Sequence, residues 1–320
     1  MAAPMTPYGF PTEAYHCLLD EQPYYLVPPR LYGLDQQGPM LVNPDAWFSW
    51  QGPPPADSLR AGASLLAGGH QVWVTDHATG AAWPYWVGEN FLGYLWDLAP
   101  GEPLSQALPP HVEWVLTRAE ILVPPGHGRR RRQQWHAAAR QSASGFHGRG
   151  YVAMPGLVPA FHLGALRRYY RYHTRVGSFP LGDDQVSRRY VAHNEAVAHF
   201  LHAQLADAVS DVAQTMLVPS YAYLAAYESG SELSPHTDRE PCEYTVTLSV
   251  DATPEPRAQS PWPIKLDVAE GTLAVWQFLG DGLLFRGRYL PHHRDPLPPG
   301  HTSTSLLLHY VDEGFHGALN

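Results

Sequence analysis

His236-Thr-Asp238 offers an imidazole and a carboxylate two positions apart, and Pro291-His292 supplies a second imidazole from much further along the chain. On a strand, residues i and i+2 point to the same side, so His236 and Asp238 can reach one metal ion. Two imidazoles and one carboxylate on one face of an octahedron are the donors of a non-haem iron(II) site, and they leave the other positions open. The triplet alone is weak, because a chain with 18 histidines throws up His-x-Asp by chance, and His293-Arg-Asp295 is a second example. Only His301, His309 and His316 follow that second triplet, within a hairpin's length, so closing a three-ligand face from it is awkward. The first triplet is therefore the favoured metal site. For the third ligand His292 and His293 compete. Adjacent residues of a strand face opposite ways, so one of them serves, and His301 is a more distant candidate.

The elements around these residues divide into two textures. Residues 1–145 are rich in Pro, Gly and Trp, with short alternating runs at 71–75 and 83–87 that predict strands. Residues 111–123 fit a strand or a short helix, 124–134 read as a linker, and 145–150 as a further break. The four arginines at 129–132 sit in that linker as a solvated loop, able to meet a phosphate or an acidic partner. The aromatics Trp47, Trp50, Trp73, Trp83, Trp86, Phe91, Tyr94 and Trp96 either pack against the rest of the chain or form a recognition module. A boundary near residue 145 separates this N-terminal region from a domain over 146–320.

There, 159–175 has helical periodicity, and Asp184 is placed to cap a second, longer helix running to residue 213. His193, His199 and His202 on that helix read as surface or packing residues. Strands are expected at 220–227, 244–250, 264–268, 271–278, 282–285 and 303–311, separated by turn residues. The fold class is α+β, mainly β: helices against one face of a β-sandwich, whose closed form is a jelly roll.

Bulk properties exclude several classes. With 44% hydrophobic and 16% charged residues, the 320-residue chain is globular. A net charge of −9 argues against nucleic acid as a partner. Cys17 and Cys242 are too few for a disulfide framework. Residues 1–11 lack the pattern of a signal peptide, and no run of about 18 apolar residues exists to span a membrane, so a cytoplasmic location is expected. The single lysine is Lys265.

The run Tyr227-Glu-Ser-Gly230-Ser-Glu-Leu-Ser-Pro235-His236-Thr-Asp238 resembles the Tyr-x-x-Gly-x-x-x-x-Pro-His-x-Asp lead-in of the prolyl 4-hydroxylase-like 2-oxoglutarate/Fe(II) dioxygenases. The stretch from Gly287 through Pro291-His292 to the strand at 303–311 is similar to that family's distal-histidine turn and last core strand. The resemblance covers about 150–320. It implies a double-stranded β-helix, Fe(II), 2-oxoglutarate and O2, with His236, Asp238 and His292 on iron and Tyr227 hydrogen-bonded to 2-oxoglutarate. It further implies hydroxylation of an unactivated C–H bond of a peptide, amino-acid-derived or other small molecule, with release of succinate and CO2. Related halogenases carry a small residue where Asp238 stands, which favours hydroxylation here. One departure is clear: the family's basic residue on the last strand, for the far carboxylate of 2-oxoglutarate, is missing. Ser303, Thr304 and Ser305 stand there and can hydrogen-bond a carboxylate without neutralising it. A buried carboxylate needs a cation. Arg294, two residues past His292, is the favoured one, with Arg286, Arg288, Arg239 and Lys265 as rivals. Two other readings remain open: a cupin-like binding protein with a degenerate metal site, and a metal-dependent hydrolase or isomerase on a similar barrel.

Overall fold

The computed structural model describes residues 14–19, 40–52 and 69–319; the signal-peptide reading of 1–11 lies outside them. The N-terminal portion contributes β1 (Leu41–Val42), β2 (Trp47–Phe48), β3 (His70–Thr75), β4 (Ala82–Val87), α1 (Glu89–Leu95), α2 (Pro110–Arg118), β5 (Leu122–Val123) and α3 (His127–Arg149). Next come β6 (Tyr151–Met154), α4 (Ala160–Arg175), β7 (Arg189–His193), α5 (Ala196–Gln204) and α6 (Ala206–Ala213). The remainder is β8 (Leu217–Tyr227), β9 (Leu233–His236), β10 (Tyr244–Thr253), β11 (Ile264–Val268), β12 (Gly271–Val275), β13 (Gly282–Phe285), β14 (His292–Arg294) and β15 (Thr302–Asp312).

Period-two alternation organises the second half. Six antiparallel strands run in the order β6-β13-β10-β15-β8-β7, and four more in the order β12-β11-β14-β9. In the larger sheet Ala222, Leu224, Val246, Leu248, Leu306, Leu308 and Tyr310 are buried in the main core with the apolar faces of α4, α5 and α6. The alternate residues Tyr221, Tyr223, Thr245, Thr247, Ser305 and His309 line a cavity on the opposite face. One sheet face is thus greasy and sealed by helices, and the other is polar and turned inward. The smaller sheet closes over that inner face. Ile264 and Leu266 pack on Leu283 and Phe285, and Leu233 and Trp262 cluster with Ala225 and Tyr227.

Two sequence expectations fail for identifiable reasons. Residues 127–134 of the proposed linker and 145–149 of the proposed break are helical in α3, which also runs through the proposed boundary at residue 145. Trp135, Ala139, Ala143 and Phe146 are buried at successive helical intervals, and that apolar stripe outweighs the roughly 1 kcal/mol that each interior glycine costs a helix. Gly126 and Gly150 bracket α3 in the left-handed conformation that glycine adopts freely. Arg131 is not solvated: it is buried and pairs with Asp76 and Glu120 at 3.2 and 3.1 Å. Second, Asp184 caps no helix. Its neighbour Asp183 instead accepts the backbone N–H groups of Gln185 and Val186 in a turn that leads into β7. The cap of α5 is Glu195, which accepts from Val197 and Ala198 N–H and from the hydroxyls of Tyr169 and Tyr170. Residues 111–123 hold both of the elements considered for them, the short helix α2 and then β5.

Most of the N-terminal aromatics pack, while Trp96 is 51% exposed. Trp73, Trp83 and Trp86 are buried in one continuous core with α4 and α5; Trp73 meets Phe200 edge-on, and Trp83 lies 4.8 Å from His162. His202 is likewise a packing residue, its Nε2–H donating to the His309 carbonyl at 2.6 Å. No helix among the described residues is long and apolar enough to cross a membrane.

Candidate metal centre

Strand pairing builds the site. β9 and β14 are antiparallel neighbours, with His236 opposite His292. β9 is the outer strand of its sheet, which tolerates Pro235 because an edge position needs no amide donor on its free side. The two imidazole centroids lie 4.3 Å apart. Asp238, two residues past His236, places Oδ1 3.8 Å from His236 Nε2 and 3.6 Å from His292 Nε2.

Hydrogen bonds fix the tautomers. His236 Nδ1 lies 2.9 Å from the Ser234 carbonyl oxygen, and His292 Nδ1 lies 3.0 Å from that of Leu290. A carbonyl only accepts, so each Nδ1 carries a proton, and in the neutral ring each Nε2 is then the lone pair. Burial, the largest influence, pushes the His292 pKa down and keeps the ring neutral. Two Nε2 atoms and a carboxylate oxygen therefore converge, and with neutral rings no proton lies between them. Such a set is repulsive alone and fits a divalent first-row metal ion. The rivals His293 and His301 do not line the cavity; His293 instead opposes Lys265 across β11.

Asp238 is oriented from behind by residues that local sequence does not reveal. Thr245 on β10 donates its hydroxyl to Asp238 Oδ2 at 2.8 Å and lies 3.0 Å from His309 Nδ1. The Asp238 N–H donates to the Gly287 carbonyl at 2.8 Å. A Cβ on Gly287 would lie 2.1 Å from Asp238 Oδ2 and 2.6 Å from Thr245 Oγ1, so only glycine leaves room for this carboxylate. Beyond Thr245, burial holds the His309 pKa down at about 4, and the Cys242 thiol, beside Tyr221, is pushed up to about 11, again chiefly by burial.

The cavity, about 350 Å³, is shared by His236, Asp238, His292, Tyr227 and Arg294. Arg294 is 5% exposed. Its Nη1 donates to the Trp262 carbonyl at 2.7 Å, and its guanidinium lies 4.7 Å from the Trp262 ring centroid. No carboxylate among the described residues pairs with it, and burial pushes its pKa down. The cavity's other inner cation, Arg189, is already neutralised by Asp183 and donates to the Tyr227 hydroxyl at 3.2 Å. Lys265 pairs with Asp295 at 2.6 Å and Arg288 with Glu240 at 3.8 Å. Arg286 lies over Phe146 and Tyr244, away from the cavity.

Ser303 and Thr304 do not reach the cavity. Ser303 is buried opposite Tyr227, and Thr304, opposite Ala226, falls on the alternate face of β15. Ser305, Leu307 and His309 line the cavity from that strand.

No family model and no curated protein matches the chain. Solved structures with a similar arrangement include a Pseudomonas putida prolyl-4-hydroxylase, 15% identical, covering 55% of this chain and all of that one, with a TM-score of 0.45. HygX of Streptomyces hygroscopicus, solved with nickel, 2-oxoglutarate and hygromycin B bound, is 14% identical over 55% of this chain and 88% of its own, with a TM-score of 0.44. An oxidoreductase of the 2OG-Fe(II) oxygenase family from Burkholderia pseudomallei is 16% identical over 57% of this chain and 92% of its own, also at 0.44.

Proposed function

We propose that this protein is an Fe(II)- and 2-oxoglutarate-dependent oxygenase built on a double-stranded β-helix, which hydroxylates a C–H bond of a small or peptide-like substrate. The observation that carries the reading is one cavity holding two imidazole Nε2 atoms, one carboxylate oxygen 3.6–3.8 Å from them, and a buried guanidinium with no carboxylate of its own among the described residues.

In this reading His236, Asp238 and His292 hold the metal, and Thr245 and Gly287 keep Asp238 in a single orientation. Iron, when bound, supplies the centre at which O2 is consumed as 2-oxoglutarate is decarboxylated to succinate and CO2 and the substrate gains one oxygen atom. Arg294 receives the far carboxylate of 2-oxoglutarate with a bidentate fork, replacing the basic residue missing from the last strand. Tyr227 accepts from Arg189 and so has its own O–H free to donate to the co-substrate. Leu233, Ile264, Phe285 and Leu307 wall the cavity and exclude water.

Arg294 also bears on the alternatives. A degenerate binding module would have no use for an uncompensated buried cation beside the histidines. The test is oxygen uptake and succinate formation by the Fe(II)-loaded protein given 2-oxoglutarate. Both are expected, in equal amounts, and both are expected to vanish in His236→Ala. Turnover that persists without O2 or any 2-oxo acid would favour the hydrolase reading instead.

A further inference from the structure

The cavity has two halves, and the co-substrate accounts for one. Tyr227 and Arg294 lie towards the Trp262 side. On the Asp238 side stand Tyr221, His309, Cys242 and Arg239, which none of the roles above employs.

Hydrogen-bond direction on this side is determined. Asp238 Oδ2 can only accept, so the Thr245 proton points to it, and the Thr245 oxygen must accept from His309 Nδ1–H. That leaves His309 Nε2 as a lone pair. The residue is 4% exposed and its ring lines the cavity. Nε2 has no hydrogen-bond partner among the described residues, and with the ring on the cavity wall it is open to a donor from a bound molecule.

Charge is also determined. Arg189 is matched by Asp183, and Arg294 is assigned to the co-substrate. Arg239, at the cavity mouth, pairs with no carboxylate among the described residues. It is nevertheless held in place: Nη2 donates to the Tyr221 hydroxyl at 2.9 Å, and the guanidinium lies 5.6 Å from the Tyr221 ring centroid. The Tyr221 hydroxyl, which accepts that hydrogen bond, also lies within hydrogen-bond distance of Cys242 Sγ at 3.0 Å. Its ring is packed between His193, stacked at 4.8 Å, and His309 at 4.5 Å. A fixed cation on a rigid aromatic floor, with a bare acceptor beside it, is a recognition surface for an anion that carries a hydrogen-bond donor.

We propose that the substrate is a small anionic molecule bearing a hydroxyl or amine donor, its acidic group paired with Arg239 and its donor engaged by His309 Nε2. The assignment rests on the oxygenase reading, since it takes the Arg294 half as filled by 2-oxoglutarate. Arg239 and His309 are then specificity-determining residues, and Tyr221 positions both.

Three matched probes test it on the wild-type protein under nitrogen, loaded with Mn(II) and saturating 2-oxoglutarate: 4-hydroxyphenylacetate, 4-methoxyphenylacetate and 4-hydroxyphenylacetamide, titrated by calorimetry. The hydroxy acid is expected to bind at least tenfold more tightly than the amide, which lacks the charge, and severalfold more tightly than the ether, which lacks the donor. Arg239→Gln should level the acid and the amide, and His309→Phe should level the acid and the ether. Equal binding of acid and amide to the wild type would overturn the proposal, as would no binding of any probe at 10 mM or an acid preference that survives in Arg239→Gln. If Arg239→Gln weakens 2-oxoglutarate as much as it weakens the probe, Arg239 serves the co-substrate and the assignment is also overturned. A wild-type protein that binds Mn(II) but not 2-oxoglutarate is a different failure, which removes the oxygenase reading itself.

Discussion

Replacing Arg294 by Met separates stability from co-substrate binding. The guanidinium is 5% exposed and has no carboxylate partner among the described residues, so the free protein bears a desolvation penalty of several kcal/mol. Its charged hydrogen bond to the Trp262 carbonyl offsets about 1.5–3 kcal/mol of that, and its place over the Trp262 ring offsets about 2 kcal/mol more. Met fills similar volume without a charge, so these terms nearly cancel. Arg294→Met is expected to change the stability of the metal-free protein by less than about 2 kcal/mol, with either sign. Binding should respond very differently. A 2-oxoglutarate carboxylate deprived of its buried cation loses about 3–5 kcal/mol, or roughly 10²- to 4 × 10³-fold in Kd. Calorimetric titration of 2-oxoglutarate into the Mn(II)-loaded variant under nitrogen reads this directly, and urea denaturation reads the stability. The wild type should also gain about 2.7 kcal/mol at a 2-oxoglutarate concentration 100 times its Kd, a gain the variant lacks at that concentration. A variant Kd within threefold of wild type would refute the assignment of Arg294.

Gly287→Ala should weaken metal binding more than tenfold, measured by equilibrium dialysis with Mn(II), because its Cβ would displace Asp238 Oδ2; unchanged affinity would show that the carboxylate needs no such space. His202 gives a pH signature. Burial lowers its folded pKa from the ordinary 6.5 to about 3, so only the unfolded chain takes up the proton as pH falls below 6.5. Stability from this group is complete above pH 6.5 and is lost towards pH 3, at about 1.4 kcal/mol per pH unit. Between pH 6.5 and 5 the wild type should therefore lose about 2 kcal/mol more than His202→Gln does, as read by urea midpoints; parallel profiles would contradict the burial argument.

Much of the framework was legible. β11 and β13 fall where the alternating apolar runs between turn residues placed them, and α4 follows its helical periodicity. His236, Asp238, His292, Tyr227 and Arg294 share a cavity, and their clues were local: a fixed spacing, and a cation two residues past a histidine. What escaped was non-local. Thr245, Gly287, His309 and Arg189 acquire their roles only through the register of β10, β15, β8 and β7, which no short window records. β9 hides for another reason: Leu233–His236 is short, contains Pro, and as an edge strand needs no clean alternation. α3 was obscured by its glycines and arginines, whose loop-like look gave way to one buried stripe. Ser303 and Thr304 were placed by distance from His292 alone, and the faces of β15 then excluded Thr304 from the cavity.

The most direct test of the metal centre is spectroscopic. Under strict exclusion of O2, Fe(II) and then 2-oxoglutarate are added to the purified protein and the visible spectrum is recorded. Two imidazole Nε2 atoms and Asp238 leave adjacent iron positions open for a chelating 2-oxo acid, so a broad visible charge-transfer band is expected at one equivalent of iron. It should be absent in His292→Ala and shift to much higher 2-oxoglutarate concentration in Arg294→Met. A wild-type protein that binds iron stoichiometrically yet shows no band with saturating 2-oxoglutarate would contradict the account.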